Sequence, residues 1–274
     1  MKNLDLLLAL CLSLCTSLVA TADHPTSVRV ALYPYEPFVA VDEQGQFHGL
    51  AADLITLLNS HQQELHFTSY PISPKRRFDA FEQHEFDIIL FENPQWGWQN
   101  IEHQISEPFF YDRDVYVALQ GEDRDESYFN DISRLKILAI SGFHYGFAEF
   151  NADEQYLEQN FDIVFSWSYM KNLEMLCDRQ GDVTIISWAY LRDFIQKHPD
   201  KAADFLISQR SDNQFKHQAI IHPRSPADSG KLNRIFSELK TNGHLAELFQ
   251  RYNALDCDDL NSVMHDKQIQ ALCL

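Results

Sequence analysis

Segments with the pattern of β-strands alternate with segments with the pattern of α-helices along most of this chain. In the first unit an apolar strand over 28–32 precedes an aromatic loop, a polar turn and an amphipathic helix that begins near Leu50. A later run, Phe86 to Phe91, is continuously apolar, which is typical of a strand buried on both faces of a parallel sheet. Repeated units of this kind predict an α/β fold with mostly parallel sheets flanked by helices.

The units fall into two sets, and two extended segments, 114–119 and 215–221, lie between them. This arrangement predicts two lobes joined by two crossover strands, with the chain returning to the first lobe at its end. We predict a discontinuous lobe 1 over 23–116 and 216–255, a lobe 2 over 117–215, and a C-terminal tail over 256–274.

Residues 1–22 have the pattern of a cleaved secretory signal. Lys2 is followed by an apolar core, and Ala20-Thr21-Ala22 is a small-x-small cleavage site before Asp23. Cys11 and Cys15 each follow a leucine, which argues against a lipoprotein signal. We therefore expect a soluble periplasmic protein.

Charge and cysteine content restrict the partners, disulfides and cofactors that this protein can have. A formal net charge of -18 argues against nucleic acid or an anionic membrane surface as a partner. Export permits a disulfide, and we predict one between Cys257 and Cys273, which flank the acidic tail at a spacing that closes a short loop. Cys177 lies in an apolar-periodic run, so we expect it to be free and buried. With no Cys-x-x-Cys pair and the 12 histidines scattered, we predict neither a metal nor a cofactor.

The loop after the first strand carries three aromatic residues and two prolines: Tyr33, Pro34, Tyr35, Pro37 and Phe38. In open α/β sheets, ligands bind beyond the carboxyl ends of the strands, where this loop lies. Flat, stiff walls of this kind suit a small molecule.

Several motifs resemble those of periplasmic solute-binding proteins of the polar amino-acid transporter class. They are Tyr35-Glu36-Pro37-Phe38, the turn from Asp42 to Gly49, Asp53-Leu54 and Ser106-Glu107-Pro108-Phe109-Phe110. The resemblance covers the chain to about Tyr252 and implies the type II periplasmic-binding fold. It also implies a monomer that closes on a small-molecule ligand and delivers it to an inner-membrane ABC permease. Two alternatives stay open: docking on a membrane sensor receptor, and a dehydratase-like enzyme using Glu36 and His144. No catalytic motif is present, so we expect no enzyme.

Two departures from the family pattern concern the ligand. Where amino-acid binders carry an Arg that clamps the α-carboxylate, this chain has Gln99. Where they carry an Asp for the α-ammonium, it has Ser187, Trp188 or Ala189. The resemblance with these changes implies a small polar or aromatic solute other than a standard α-amino acid.

The predicted ligand-binding residues come from both lobes. Arg76 matches the spacing of an Arg in members with other ligands and could hold a carboxylate by a two-point contact, unless it is an ordinary exposed helix residue. Trp96 and Trp98 either line the cleft or pack beneath a loop. The full predicted set is Tyr33, Tyr35, Phe38, Arg76, Trp96, Trp98, Gln99, Gly142, Phe143, His144, Tyr145, Ser187 and Trp188.

Overall fold

The computed structural model describes residues 24–254. The predicted signal segment, the Cys257–Cys273 disulfide and the tail lie outside the described residues.

The first half of the sheet is parallel, as the apolar strand patterns predict. Strand β1 (Thr26–Leu32) lies between β4 (Leu65–Pro71) and β5 (Ile88–Glu92), with Val30 paired to Ser69 on one side and Ile88 on the other. Helix α1 (Leu50–His61) buries Leu50, Leu54 and Leu58 against this part of the sheet, because these residues recur on one helical face. A small hairpin, β2 (Ala40–Val41) and β3 (Phe47–His48), precedes this helix.

The second half repeats the parallel arrangement. Strand β8 (Ile137–Ile140) lies between β9 (Ile163–Ser166) and β10 (Val183–Ser187). Its helices are α3 (Glu154–Asn160), α4 (Tyr169–Cys177), α5 (Trp188–Lys197) and α6 (Pro199–Ala202).

Two long antiparallel strands join the halves. They are β7 (Phe110–Leu119) and β11 (Phe205–Ile221), and β11 also pairs with β5 and the short β6 (Gln104–Ile105). The resulting order is β4-β1-β5-β11-β7-β10-β8-β9. Helices α7 (Ser229–Thr241) and α8 (His244–Arg251) return to pack on α1 in the first half. The exact lobe boundaries stay a prediction.

Local geometry changes three predicted elements. A continuous helix over 145–160 is replaced by a 3₁₀ turn (Gly146–Ala148) and α3, because Glu149 and Phe150 adopt positive φ between them. The helix predicted from Pro74 begins as a 3₁₀ turn (Pro74–Arg76) before α2 (Arg77–Glu82). The segments 205–208 and 215–221 join into β11 through irregularities in its register with β7.

Cys177 is free and exposed, so the prediction that it is buried is wrong. It ends α4, whose inward face carries Leu173 and Leu176, and the next residue points outward. No helix within residues 24–254 combines the length and apolar character needed to span a bilayer.

Candidate ligand-binding cleft

A narrow, nearly closed cleft lies between the two halves of the sheet and leaves a free volume of about 20 Å³ in this closed arrangement. The first half contributes the loop after β1, the start of α2 and the segment after β5, and the second contributes the loop after β8 and the start of α4. The lining residues are Tyr33, Tyr35, Arg77, Trp96, Asp114, Gly142, Phe143, His144, Tyr145 and Tyr169.

Aromatic rings form most of the cleft wall. Tyr35 makes an edge contact with Phe143 across the cleft at 5.3 Å between ring centroids, and another with Trp96 at 6.2 Å. Phe143 in turn contacts Tyr169 at 6.1 Å. The indole N–H of Trp96 is buried and has no hydrogen-bond partner within residues 24–254. The walls therefore offer flat apolar surface, and the indole of Trp96 adds an unused donor.

Arg77 is the buried cation of the cleft, with only 3% of its surface exposed. Its Nη1 donates to the carbonyl of Pro74 at 2.7 Å, and its Nη2 lies 3.3 Å from Nδ1 of His144 in the other half. The Nε lies 3.6 Å from Oε1 of Glu92, an ion-pair distance longer than a hydrogen bond. Arg77 thus connects the two halves directly.

Glu92 is fully buried and offsets the charge of Arg77. Its carboxylate oxygens accept hydrogen bonds from Tyr33 Oη at 2.7 Å and from Trp98 Nε1 at 2.8 Å. Burial raises the pKa of Glu92, and the charge of Arg77 opposes that rise. Because both oxygens act as acceptors, the ionised form fits this site.

Arg76 does not reach the cleft, although its spacing in the sequence predicted that it binds the ligand. Its side chain is 62% exposed and pairs with Glu85 at 2.9 Å on the outer surface. The turn from Pro74 sets the helical phase, and one residue step rotates a side chain by about 100°. The inward position falls on Arg77 instead.

Asp114 is the functional candidate that the sequence reading missed. It lies on β7, where that strand pairs with both β10 and β11, and it is 7% exposed. No group within residues 24–254 donates a hydrogen bond to its carboxylate. Burial raises its pKa well above the usual value, and the charges of Asp112 and Asp212 add to the rise. The sequence feature that could have indicated it is the pair of acidic residues at alternate positions, Asp112 and Asp114, directly before the apolar end of the strand.

The two acidic neighbours of Asp114 are compensated by hydrogen bonds. Asp112 accepts from Ser187 Oγ at 2.6 Å and from the backbone N–H of Ala189 at 3.2 Å. Asp212 accepts from Tyr116 Oη and from the backbone N–H of Gly146 at 2.6 Å. Asp114 therefore differs from both in lacking a donor.

The predicted set separates into three groups. Tyr33, Tyr35, Trp96, Gly142, Phe143, His144 and Tyr145 line the cleft. Phe38, Trp98 and Ser187 are fully buried and support the lining residues. Arg76, Gln99 and Trp188 lie elsewhere: Gln99 is exposed and donates to Gln95, and Trp188 packs under the guanidinium of Arg113 at 4.9 Å.

Two histidines near the cleft, the half-buried His144 and the fully buried His217, have lowered pKa values. Burial lowers the pKa of His144 to about 3, and the charge of Arg77 contributes. His217 lies among the rings of Tyr35, Phe38 and Trp96, and burial lowers its pKa to about 3. Across residues 24–254 no three His, Cys, Asp or Glu side chains come together in a way that could hold a metal ion.

A second crevice, with a free volume of about 250 Å³, is lined by residues that include Glu36, Tyr190, Asp193 and Lys197. None of the predicted site residues lines it. The narrower cleft is the stronger candidate because buried polar groups without partners converge on it.

Comparison with known proteins agrees with this architecture. Residues 28–254 match the model of the bacterial extracellular solute-binding proteins, family 3, and the chain belongs to that family. The assignment confirms the resemblance found in the sequence and the prediction of a solute-binding protein rather than an enzyme. No curated protein is similar enough in sequence to be matched to the chain.

Solved structures share the two-lobe fold at low sequence identity. A putative binding component of an ABC transporter from Wolinella succinogenes, complexed with lysine, is 18% identical, with a TM-score of 0.66 over 86% of this chain and 98% of that one. A substrate-binding protein of an ABC uptake transporter from Streptococcus pneumoniae, with bound histidine, is 15% identical, with a TM-score of 0.65 over 82% of this chain and 92% of that one. The arginine-, lysine-, histidine-binding protein ArtJ from Geobacillus stearothermophilus is 15% identical, with a TM-score of 0.65 over 83% and 95%. These matches confirm the predicted fold.

Proposed function

We propose that this protein captures a small solute in the cleft between its two lobes and delivers it to an inner-membrane ABC permease. The observation that carries the proposal is the cleft itself. Residues from both halves line it, and a contact of 3.3 Å between Arg77 Nη2 and His144 Nδ1 closes it. Solved relatives of the same fold come from ABC transport systems. The exported location predicted from residues 1–22 agrees with an extracellular family.

The solute is small, partly aromatic or flat, and is not an ordinary α-amino acid. Gln99, at the position of the family's carboxylate clamp, is exposed and outside the cleft. The buried Arg77 already faces Glu92, so its charge is not free for a ligand carboxylate. The rings of Tyr35, Trp96 and Phe143 offer stacking surface in place of the clamp. We expect the protein to act as a monomer.

A thermal-shift screen of the purified mature protein tests the proposal. The solutes should include the ligands named for the solved relatives, arginine, lysine and histidine, together with amines, carboxylates and aromatic metabolites. A ligand at a hundredfold excess over its Kd should stabilise the protein by about 2.7 kcal/mol.

Two tryptophan variants form a matched pair for that screen. Trp96→Ala removes a ring that lines the cleft, and Trp188→Ala removes a ring outside it. We expect the first variant to lose the ligand-induced shift and the second to keep it. A protein that no solute stabilises, or equal losses in both variants, would contradict the proposed site.

A further inference from the structure

The charges buried in the cleft do not balance. The Arg77 cation faces the Glu92 carboxylate at 3.6 Å, so these two offset each other. Asp114 has neither a cation nor a hydrogen-bond donor within residues 24–254, although it is 7% exposed and lines the cavity. A buried carboxylate in this state is costly unless a ligand supplies its partner.

The surroundings of Asp114 suit a cation. Tyr35, Phe143 and Tyr169 line the same cavity, and the negative charge of Asp114 contributes, after burial, to the raised pKa of Tyr35 and of Tyr169. The faces of aromatic rings attract ammonium and guanidinium groups. The free indole N–H of Trp96 would meet a neutral acceptor on the same solute.

We propose that Asp114 is the counter-ion for a cationic group of the solute, so that the cleft selects amines and guanidines over carboxylates and does not require the carboxylate of an α-amino acid. This inference rests on the proposed function, because it assigns the class of solute to the same cleft. Asp114 pairs with Ser187 on β10 and with Asn213 on β11, so it lies on one of the two strands that join the halves and opposite the other.

The proposal implies that binding is linked to protons. The groups around Asp114 are Asp112 on its own strand, Asp212 on β11, and the tyrosines Tyr35, Tyr145 and Tyr169 from the facing loops and α4. Burial raises the pKa of Asp114 in the ligand-free protein, whereas a bound cation favours the ionised carboxylate. Amine affinity should therefore rise with pH, with release of a proton on binding.

Isothermal titration calorimetry with matched solutes tests the inference on the mature protein. Two pairs compare an amino acid with the amine that lacks its carboxylate: arginine with agmatine, and lysine with cadaverine. The third pair, 3-phenylpropionate and 2-phenylethylamine, replaces a carboxylate by an amine on the same aromatic framework. We expect at least one amine or guanidine to bind as tightly as its amino-acid counterpart or more tightly, and 3-phenylpropionate to show no binding.

Asp114→Asn should weaken binding of that amine by about 30-fold or more, since loss of a buried charge partner costs at least that factor. Asp131→Asn, at an exposed residue paired with Arg134, is the matched control and should bind normally. Asp114→Asn should also raise the melting temperature of the ligand-free protein at neutral pH, which shows that the variant is folded. Because the pKa of Asp114 is higher in the folded than in the unfolded chain, the unfolded chain loses its proton first as pH rises above about 3.8, and the folded state loses stability. The asparagine amide does not titrate, so the variant avoids this loss.

The outcomes separate the two proposals. Binding of arginine or lysine without agmatine or cadaverine, binding of 3-phenylpropionate, or unchanged amine affinity in Asp114→Asn would overturn the inference and leave solute capture intact. Amine affinity that is independent of pH would also overturn it. If no solute of any class binds, the proposed function itself fails.

Discussion

Lys75 and Glu154 form an ion pair across the mouth of the cleft, with 2.8 Å between Nζ and Oε1. Lys75 belongs to the turn before α2 in the first half, and Glu154 begins α3 in the second half. Gly142 lies directly beneath: a side chain there would meet Lys75 Cγ at 3.5 Å. The closed arrangement is therefore held by contacts at its rim as well as by Arg77 and His144 within.

The Lys75–Glu154 pair should contribute a small, salt-sensitive coupling. Both side chains are partly exposed, at 62% and 36%, and ion pairs of this kind contribute about 0.2–1 kcal/mol. A double-mutant cycle with Lys75→Ala and Glu154→Gln, measured by urea unfolding, should give a coupling in that range that falls at high salt. The Lys197–Asp193 pair on α5 provides a control within one half. A coupling of zero at low salt would contradict the expected contribution of this pair to holding the rim closed.

The two adjacent arginines should differ strongly in their effect on stability. Arg77→Ala leaves the buried Glu92 without its opposite charge, and we expect a loss of about 3–5 kcal/mol in the free energy of unfolding. Arg76→Ala breaks only an exposed pair with Glu85 and should cost less than about 1 kcal/mol. Chemical denaturation compares them.

A double variant separates the effect of charge from that of packing at the Arg77–Glu92 pair. Arg77→Met combined with Glu92→Gln removes both charges and should recover part of the stability lost in Arg77→Ala. Equal stability of the two single arginine variants would refute the assignment of Arg77 as the buried member.

His217 should make the protein less stable in mild acid. Burial lowers its pKa to about 3 in the folded chain, whereas the unfolded chain takes up a proton below about 6.5. Between these values the unfolded state binds more protons, so stability falls as pH falls. At pH 5 the contribution of His217 is about 2 kcal/mol.

Replacement of His217 should flatten this dependence on pH. His217→Gln should lose about 2 kcal/mol less between pH 7 and pH 5 than the parent, as measured by denaturant unfolding at each pH. The pKa of His144 is also lowered to about 3, so the His217→Gln variant still loses some stability as pH falls. His66→Gln changes an exposed residue of β4 and is the control. Identical slopes in the parent and His217→Gln would count against a neutral buried imidazole.

Gly146 should tolerate no side chain. An added Cβ would collide with the backbone oxygen of Asp212, and the Gly146 N–H also donates to that residue's carboxylate. Gly146→Ala should therefore cost about 3 kcal/mol in thermal or urea unfolding. Gly230→Ala, in the first turn of α7, meets only a side-chain oxygen at 3.3 Å and should leave stability unchanged or slightly higher. A neutral Gly146→Ala would show that this loop can move away from β11.

Sequence periodicity by itself determined the α/β character and most of the strands and helices of each half, but not the break at Glu149 and Phe150 within the helix predicted over 145–160. It also determined that Tyr33 and Tyr35 follow the first strand, because local pattern is enough to locate the carboxyl end of a buried strand. The family motifs are local in the same way, and they identified the class of protein from short segments.

The tertiary structure alone decided which charges meet in the cleft. The choice between Arg76 and Arg77 depends on where the Pro74–Arg76 turn sets the helical phase, and adjacent residues in sequence carry no information on that rotation. The pairing of Arg77 with Glu92 and the isolation of Asp114 depend on strands that are distant in sequence. A carboxylate becomes costly, and so able to select a cation, only when burial removes water and no donor replaces it.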